Sequence, residues 1–223
     1  MSRLATPRAL VLRPEPGNAR TADRLIAAGM DVIRLPLFVA APVAWTAVDP
    51  DRYDALLVTS ANAIRHAGPG LDAVRHLPVV AVGQETAAVA RQAGLHVTAV
   101  GASDAAAALV IAHRSGFARP LHLAGRDYRP VGVATVVVYA SDAVMVPAGA
   151  MAAAMDGLAL IHSPRAARRF AELVDRDALD RSRIGVVALS PAVLAAAGDG
   201  WASAVAAAVP TDAALVALAA ACR

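Results

Sequence analysis

The chain has no lysine: all 21 of its basic residues are arginine. It has one cysteine, Cys222, so no disulfide can form within the chain and a cysteine-based metal site is not expected. Aromatic residues make up only 4% and charged residues 17% of the 223 positions. With so few rings there is little on which to stack bases. There are no basic runs either, so the net charge of +3 and the pI near 9.7 do not ask for nucleic acid. Arg165, Arg168 and Arg169 form the densest basic group, and at helical spacing they read as a solvated face. Long apolar runs are also missing. The longest charge-free stretches, Leu35–Val48 and Ile184–Gly198, fall short of the roughly 18 residues that a membrane span requires, and Pro36, Pro42 and Pro191 interrupt them. The first residues carry no long apolar core, so no secretory signal is expected, and the chain reads as soluble and cytoplasmic.

What remains is apolar: 57% hydrophobic residues, a mean hydropathy of +0.52, and alanine at about a quarter of all positions. Such a composition is not that of a disordered chain. The pattern is short apolar strand, helix, short apolar strand, repeated. Strands are expected at 8–12, 31–35, 55–58, 79–82, 96–100, 121–124, 134–139, 158–161, 184–189 and 204–209. Helices are expected at 18–28, 85–93, 104–113, 150–155, 165–174 and 211–221. Asn18 or Thr21 could cap the first of these, Ser103 the third, Ser163 and Thr211 the last two. Gly29, Gly94 and Gly116 fit helix ends. The proline-rich stretch from Pro36 reads as a linker. Apolar strands that do not alternate, separated by helices, indicate parallel sheets covered on both faces.

The middle and the end of the chain resemble each other. Leu57-Val58-Thr59-Ser60-Ala61-Asn62 parallels Leu160-Ile161-His162-Ser163-Pro164-Arg165, and Val80-Ala81-Val82-Gly83 parallels Val187-Ala188-Leu189-Ser190. The informative strand ends carry a hydroxyl residue that follows an apolar strand and opens a helix. This predicts two similar parallel-sheet α/β domains whose hydroxyl-bearing strand ends sit at the carboxyl edge, where open α/β sheets bind ligands. Helix N-termini there offer free N–H groups to anions. Two such edges across a cleft would suit a polycarboxylate.

In this order and spacing the strand ends resemble the uroporphyrinogen-III synthase family. Leu10-Val11-Leu12-Arg13-Pro14 is similar to that family's first strand and Thr-Arg-Pro turn, with Leu12 in place of the threonine. Val58-Thr59-Ser60-Ala61-Asn62 resembles its Thr-Ser-Ala-Asn segment, and Val82-Gly83-Gln84-Glu85-Thr86-Ala87 its Val-Gly-x-x-Thr-Ala segment. Val138-Tyr139 resembles its crossover, and Ser163-Pro164 and Pro210-Thr211 its later signals. The resemblance implies one discontinuous domain of residues 1–36 and 142–223 and a second of residues 39–139, joined by a two-stranded crossover linker near 36–39 and 139–142, with a cleft between them. It implies cyclisation of hydroxymethylbilane without metal or organic cofactor, in a monomer that takes its substrate by transient handover from the preceding pathway enzyme, with no nucleic-acid or membrane partner. On this basis Arg13, Thr59, Ser60, Asn62, Gly83, Gln84, Thr86, Ser163 and Ser190 are the expected substrate contacts, and Tyr139 is the expected proton donor. Each has a plainer role open to it: Ser163 and Ser190 as helix caps, Thr59 and Asn62 as turn stabilisers, Arg13 as the anchor of the first turn, Tyr139 as a packed strand aromatic. His162 reads as packed or solvent-facing, and Arg126 as exposed.

There are two departures from the family pattern. Ser190-Pro191-Ala192-Val193 replaces a second Gly-x-x-Thr-Ala segment, and too few residues separate Gly125-Arg126 from Val133 for a crossover helix. The alternatives are a cleft-type small-ligand-binding protein, an inactive synthase paralogue, and a dinucleotide enzyme. No Gly-x-Gly-x-x-Gly follows any strand, which counts against the last.

Overall fold

A computed structural model of the chain describes residues 7–46, 48–101 and 104–222. Its backbone contacts divide into two compact units, Met1–Val39 with Ala143–Arg223, and Ala40–Asp142. The strands are β1 (Arg8–Val11), β2 (Asp31–Arg34), β3 (Phe38–Pro42), β4 (Ala55–Val58), β5 (Val79–Val82), β6 (Val97–Gly101), β7 (Pro120–Gly125), β8 (Thr135–Ala143), β9 (Leu158–Ile161), β10 (Gly185–Ala188) and β11 (Ser203–Ala206). The helices are α1 (Gly17–Ala27), α2 (Ala61–His66), α3 (Leu71–Val74), α4 (Gln84–Gln92), α5 (Ala105–Arg114), α6 (Pro164–Arg176), α7 (Pro191–Ala195) and α8 (Asp212–Ala221).

The first sheet runs β11-β10-β9-β1-β2 and is parallel throughout. Its central strands are apolar on both sides because both faces are covered. Leu10, Ala159, Ile161, Val186 and Ala188 face α6 and α7, where Phe170, Leu173 and Val193 meet them. Ala9, Val11, Leu158, Leu160 and Val187 face α1 and α8 through Leu25, Leu215 and Ala219. The second sheet runs β3-β8-β7-β4-β5-β6. Its strands from β8 to β6 pair in parallel. Val43 N–H donates to Val138 O and Val144 N–H to Leu37 O, each at 3.0 Å, so β3 lies antiparallel to β8. One face, with Leu56, Val58, Ala81, Leu121 and Leu123, takes α2, α3 and α4. The other, with Leu57 and Val80, takes Ala108 and Ala112 of α5 together with Val131 and Val133.

That last pair stands where a crossover helix was expected to be missing. Residues 126–134 join two parallel strands with no helix, and Val131 and Val133 of this loop supply the apolar cover. The proline-rich segment contains a strand rather than only a linker: β3 is an edge strand, where Pro42 is tolerated because its missing N–H faces no ladder partner. Ala150–Ala154 is a 3-10 turn, not an α-helix. Ala152 N–H donates to Gly149 O and Met155 N–H to Ala152 O, each three residues back, while Met151 N–H is taken by Asp177. β11 stops at Ala206, short of the strand expected to reach Val209.

Local capping follows the sequence at Ser163 and Thr211, whose hydroxyls accept from Ala166 N–H and Ala214 N–H at 3.2 Å each. Ser190 does the same for Val193 N–H at 3.4 Å. At α1 it does not. The N-cap is Pro16, and neither Asn18 nor Thr21 caps it. The fully buried Asn18 instead donates to Val11 O at 2.9 Å and Arg13 O at 2.8 Å, and so holds the turn that leaves β1. Asp104 caps α5 by accepting from Ala107 N–H at 2.8 Å; Ser103 lies outside the described residues.

Candidate functional site

At the carboxyl edge of the second sheet, β4, β5 and β7 end side by side, because Val58 is in register with Ala81 on one side and Leu123 on the other. This brings Thr59, Ser60, Gly83, Gln84 and Gly125 to one edge. Ser60 caps α2, its hydroxyl accepting from Asn62 N–H at 3.2 Å. The Asn62 side chain accepts from Arg65 Nη1 at 3.0 Å, and Arg65 Nη2 reaches Glu85 Oε1 at 3.4 Å. The first turns of α2 and α4 are thereby tied together. Gly83 stands at φ +80° ahead of α4, a left-handed conformation that favours glycine, and a Cβ there would meet nothing within 4 Å. Gln84 is exposed, whereas Thr86 is buried beneath the helix.

Tyr139 joins this edge from β8, in register with Gly125. Its ring lies on that glycine so closely that a Cβ at position 125 would fall 2.5 Å from Cζ and 2.8 Å from the hydroxyl oxygen. It also stacks with His66, with ring centroids 6.2 Å apart. Burial, and then the neighbouring Arg65 charge, lower the His66 pKa.

Two further residues complete this edge. The Thr59 hydroxyl lies 3.0 Å from Nε2 of His122, a fully buried residue of β7. Burial lowers the His122 pKa to about 4, so its ring is neutral at neutral pH. Tyr128, from the loop that replaces the crossover helix, covers it edge-on at 5.7 Å. Sequence reasoning missed this pair. The residues are 63 positions apart, and only the β4–β7 pairing brings them together.

At the carboxyl edge of the first sheet the centre is Asp212, at the start of α8. Its Oδ1 accepts from Arg13 Nη1 at 3.1 Å and Thr21 Oγ1 at 2.6 Å, and lies 2.9 Å from His162 Nε2. Its Oδ2 pairs with Arg24. Burial alone would raise the Asp212 pKa. The hydrogen bonds from His162 and Thr21 and the charges of His162 and Arg13 outweigh it and hold the carboxyl well below the usual range. Arg13 is therefore engaged by Asp212 and Thr21 at the first turn, and His162 is packed against a carboxylate. Ser163 and Ser190 stand at the same edge as caps of α6 and α7.

The arginines of α6 are more than a solvated face. Arg165, Arg168, Arg169 and Glu172 line a recess with Phe38 and Ala143. The Arg165 guanidinium sits 4.5 Å from the Phe38 ring centroid, and Arg169 is fixed by donating Nη2 to Val144 O at 2.6 Å. Such an arrangement can hold an anion. Arg126 is exposed and pairs with Asp142 at 2.9 Å. Among the described residues no group of three or more His, Cys, Asp or Glu side chains could hold a metal ion, and no helix is long and apolar enough to cross a membrane.

Both edges thus offer hydroxyls, backbone N–H groups and helix starts, and the carboxylates described there, Asp212 and Glu85, are held by arginines. A family model described as uroporphyrinogen-III synthase HemD matches residues 19–217. The chain belongs to the uroporphyrinogen-III synthase family. It is similar in fold to the uroporphyrinogen-III synthetase of Helicobacter pylori, with a TM-score of 0.64 at 14% identity over 98% of this chain and 100% of that one. It is also similar to a mutant uroporphyrinogen III synthase of the extremely thermophilic bacterium Thermus thermophilus, with a TM-score of 0.56 at 12% identity over 95% and 96% of the two chains. No curated protein matches by sequence. Family members are cyclising lyases of tetrapyrrole biosynthesis, and the two mostly parallel sheets agree with the family's fold.

Proposed function

We propose that this chain is a uroporphyrinogen-III synthase that converts hydroxymethylbilane to uroporphyrinogen III, with inversion of ring D and loss of water. The observation that carries this is the family match across residues 19–217. The donor-rich carboxyl edges are consistent with it. The substrate is a linear tetrapyrrole whose rings each bear an acetate and a propionate. Its hydroxymethyl oxygen leaves as water and an azafulvene cation remains. The substituted carbon of ring D attacks that cation to give a spiro intermediate, which fragments and recloses with the ring inverted.

The bilane also closes without help, to the isomer in which ring D keeps its orientation. The enzyme's task is therefore largely one of positioning. In this proposal Thr59, Ser60, Asn62, Gly83, Gln84 and Thr86 form or support the carboxylate contacts of one edge, and Arg13, Ser163 and Ser190 those of the other. Each exposed helix-end contact contributes roughly 0.3–1 kcal/mol, so several must act together. The guanidiniums of Arg165, Arg168 and Arg169 extend the second group. Tyr139 is the proton donor to the departing hydroxyl. The chain acts in the cytoplasm on bilane released by the preceding pathway enzyme.

The purified protein, given freshly generated hydroxymethylbilane, is expected to yield the III isomer after oxidation and chromatography. Isomer I alone, formed at the rate seen without protein, would refute the proposal. Tyr139→Phe is expected to lower kcat by about 10²-fold, the lower range for loss of a general acid, with the melting temperature unchanged. Unchanged turnover would remove Tyr139 from the chemistry and leave the cyclisation itself intact.

A further inference from the structure

His122 has no part in the chemistry outlined so far, yet its surroundings are unusually one-sided. The ring is wholly buried, with Nε2 3.0 Å from Thr59 Oγ1. Among the described residues no protein group hydrogen-bonds to Nδ1, which is also buried. A neutral imidazole carries one hydrogen, on one nitrogen or the other. On Nδ1 it would be a buried N–H without a protein acceptor, and folded proteins very rarely leave a donor in that state. An unfilled lone pair in the same place is tolerated more readily. The hydrogen therefore belongs on Nε2, and the bond runs from His122 Nε2–H to the Thr59 oxygen.

The direction of that bond decides what Thr59 can offer. A hydroxyl that accepts from the imidazole keeps its own hydrogen to give elsewhere. Thr59 is partly exposed and stands one residue beyond β4, at the carboxyl edge. With the opposite tautomer, Thr59 would donate inward and turn only lone pairs outward, which a carboxylate repels. We propose, resting on the reading of Thr59 as a substrate contact, that His122 is a positioning residue that fixes the Thr59 hydroxyl as an outward hydrogen-bond donor to a carboxylate of the substrate. Tyr128, edge-on above the ring, keeps solvent from competing for the imidazole. The low pKa of His122 agrees with a ring that acts as a neutral dipole and brings no charge of its own.

The test has two arms. In the first, nitrogen NMR of the wild-type protein at neutral pH is read for His122, its signals assigned by their loss in His122→Gln. A single proton on Nε2 is expected. A proton on Nδ1, alone or together with Nε2, overturns the proposal whatever the enzyme's activity.

The second arm uses the isomer III assay. Thr59→Val and His122→Leu are each expected to raise KM about tenfold, the cost of one hydrogen bond to a charged group, with a smaller change in kcat. The double variant should be no worse than either single one, because the two residues act as one unit. His122→Gln, whose amide nitrogen can stand near Nε2, should recover most of the loss, whereas His122→Asn should not. Should Thr59→Val leave KM unchanged, the Thr59 contact falls and the proposal with it. If Thr59→Val raises KM but His122→Leu, folded by its melting curve, does not, the contact stands and the positioning role fails. If His122→Leu does not fold, Gln against Asn decides: equal KM values in these two variants overturn the proposal.

Discussion

Asp212→Ala is expected to destabilise the unit that contains it by about 3–5 kcal/mol, the usual cost of breaking a buried ion pair from one side. One carboxylate, 15% exposed in its side chain, receives Arg13, Thr21 and Arg24 and meets His162. These partners come from the first turn, α1 and the end of β9, so the carboxylate joins parts of the chain that are far apart in sequence. Its removal takes the anion away from the Arg13 guanidinium, which is only 19% exposed. Asp212→Asn keeps the volume and an acceptor, and should cost less. Urea unfolding can be followed in each unit separately, because Trp201 lies in one and Trp45 in the other. With Trp45→Phe as background, Trp201 fluorescence reports the Asp212 unit. A loss below about 1 kcal/mol would place this cluster among surface pairs of little consequence.

Mild acid is expected to weaken the other unit first. His122 has a folded pKa of about 4 against 6.5 for an unperturbed histidine. Below pH 6.5 the unfolded chain takes up a proton that the folded chain refuses, so stability falls with pH until the folded pKa is reached. The whole window, from 6.5 down to about 4, corresponds to about 3 kcal/mol. His66, also lowered by burial, acts in the same direction and in the same unit. The Asp212 contribution has a different window. Its carboxyl is depressed, so that stability is intact above the unfolded carboxylate pKa and is lost only at more acid pH. Urea midpoints reported by Trp45, with Trp201→Phe as background, should therefore fall between about pH 6.5 and about pH 4.5. His122→Gln, which does not titrate, should flatten that fall. Equal slopes for the two proteins would mean that the buried ring does not resist protonation.

Much of this framework could be read from the chain, for local reasons. The strand cores Ala55–Val58, Val79–Val82 and Leu158–Ile161 are short apolar runs closed by a polar residue or glycine, and strand and helix start are adjacent in sequence. Ser163-Pro164 and Ser190-Pro191 fix their helix starts with groups at hand. What failed to show was set by distant parts of the chain. Asn18 looks like a cap, but the end of β1 has stronger use for its amide. Pro42, one of the prolines that suggest a linker, sits in an edge strand, where no ladder partner is missing. The candidate site divides in the same way. Thr59, Ser60, Gly83 and Ser190 are visible because they are strand ends. His122 and Asp212 are not, since a lone histidine in a strand and an aspartate at a helix start look ordinary until β7 and α8 are laid beside their neighbours.

The bare connection between β7 and β8 has a practical side. Residues 126–134 cross between parallel strands with three apolar or aromatic side chains, Tyr128, Val131 and Val133, doing what a helix does elsewhere in the sheet. Grafting a designed amphipathic helix into this span would restore a full second layer without altering either strand. The same graft would replace Tyr128 as the cover of His122, so this one splice point offers an engineer a handle on the robustness of the unit and on the threonine at its edge.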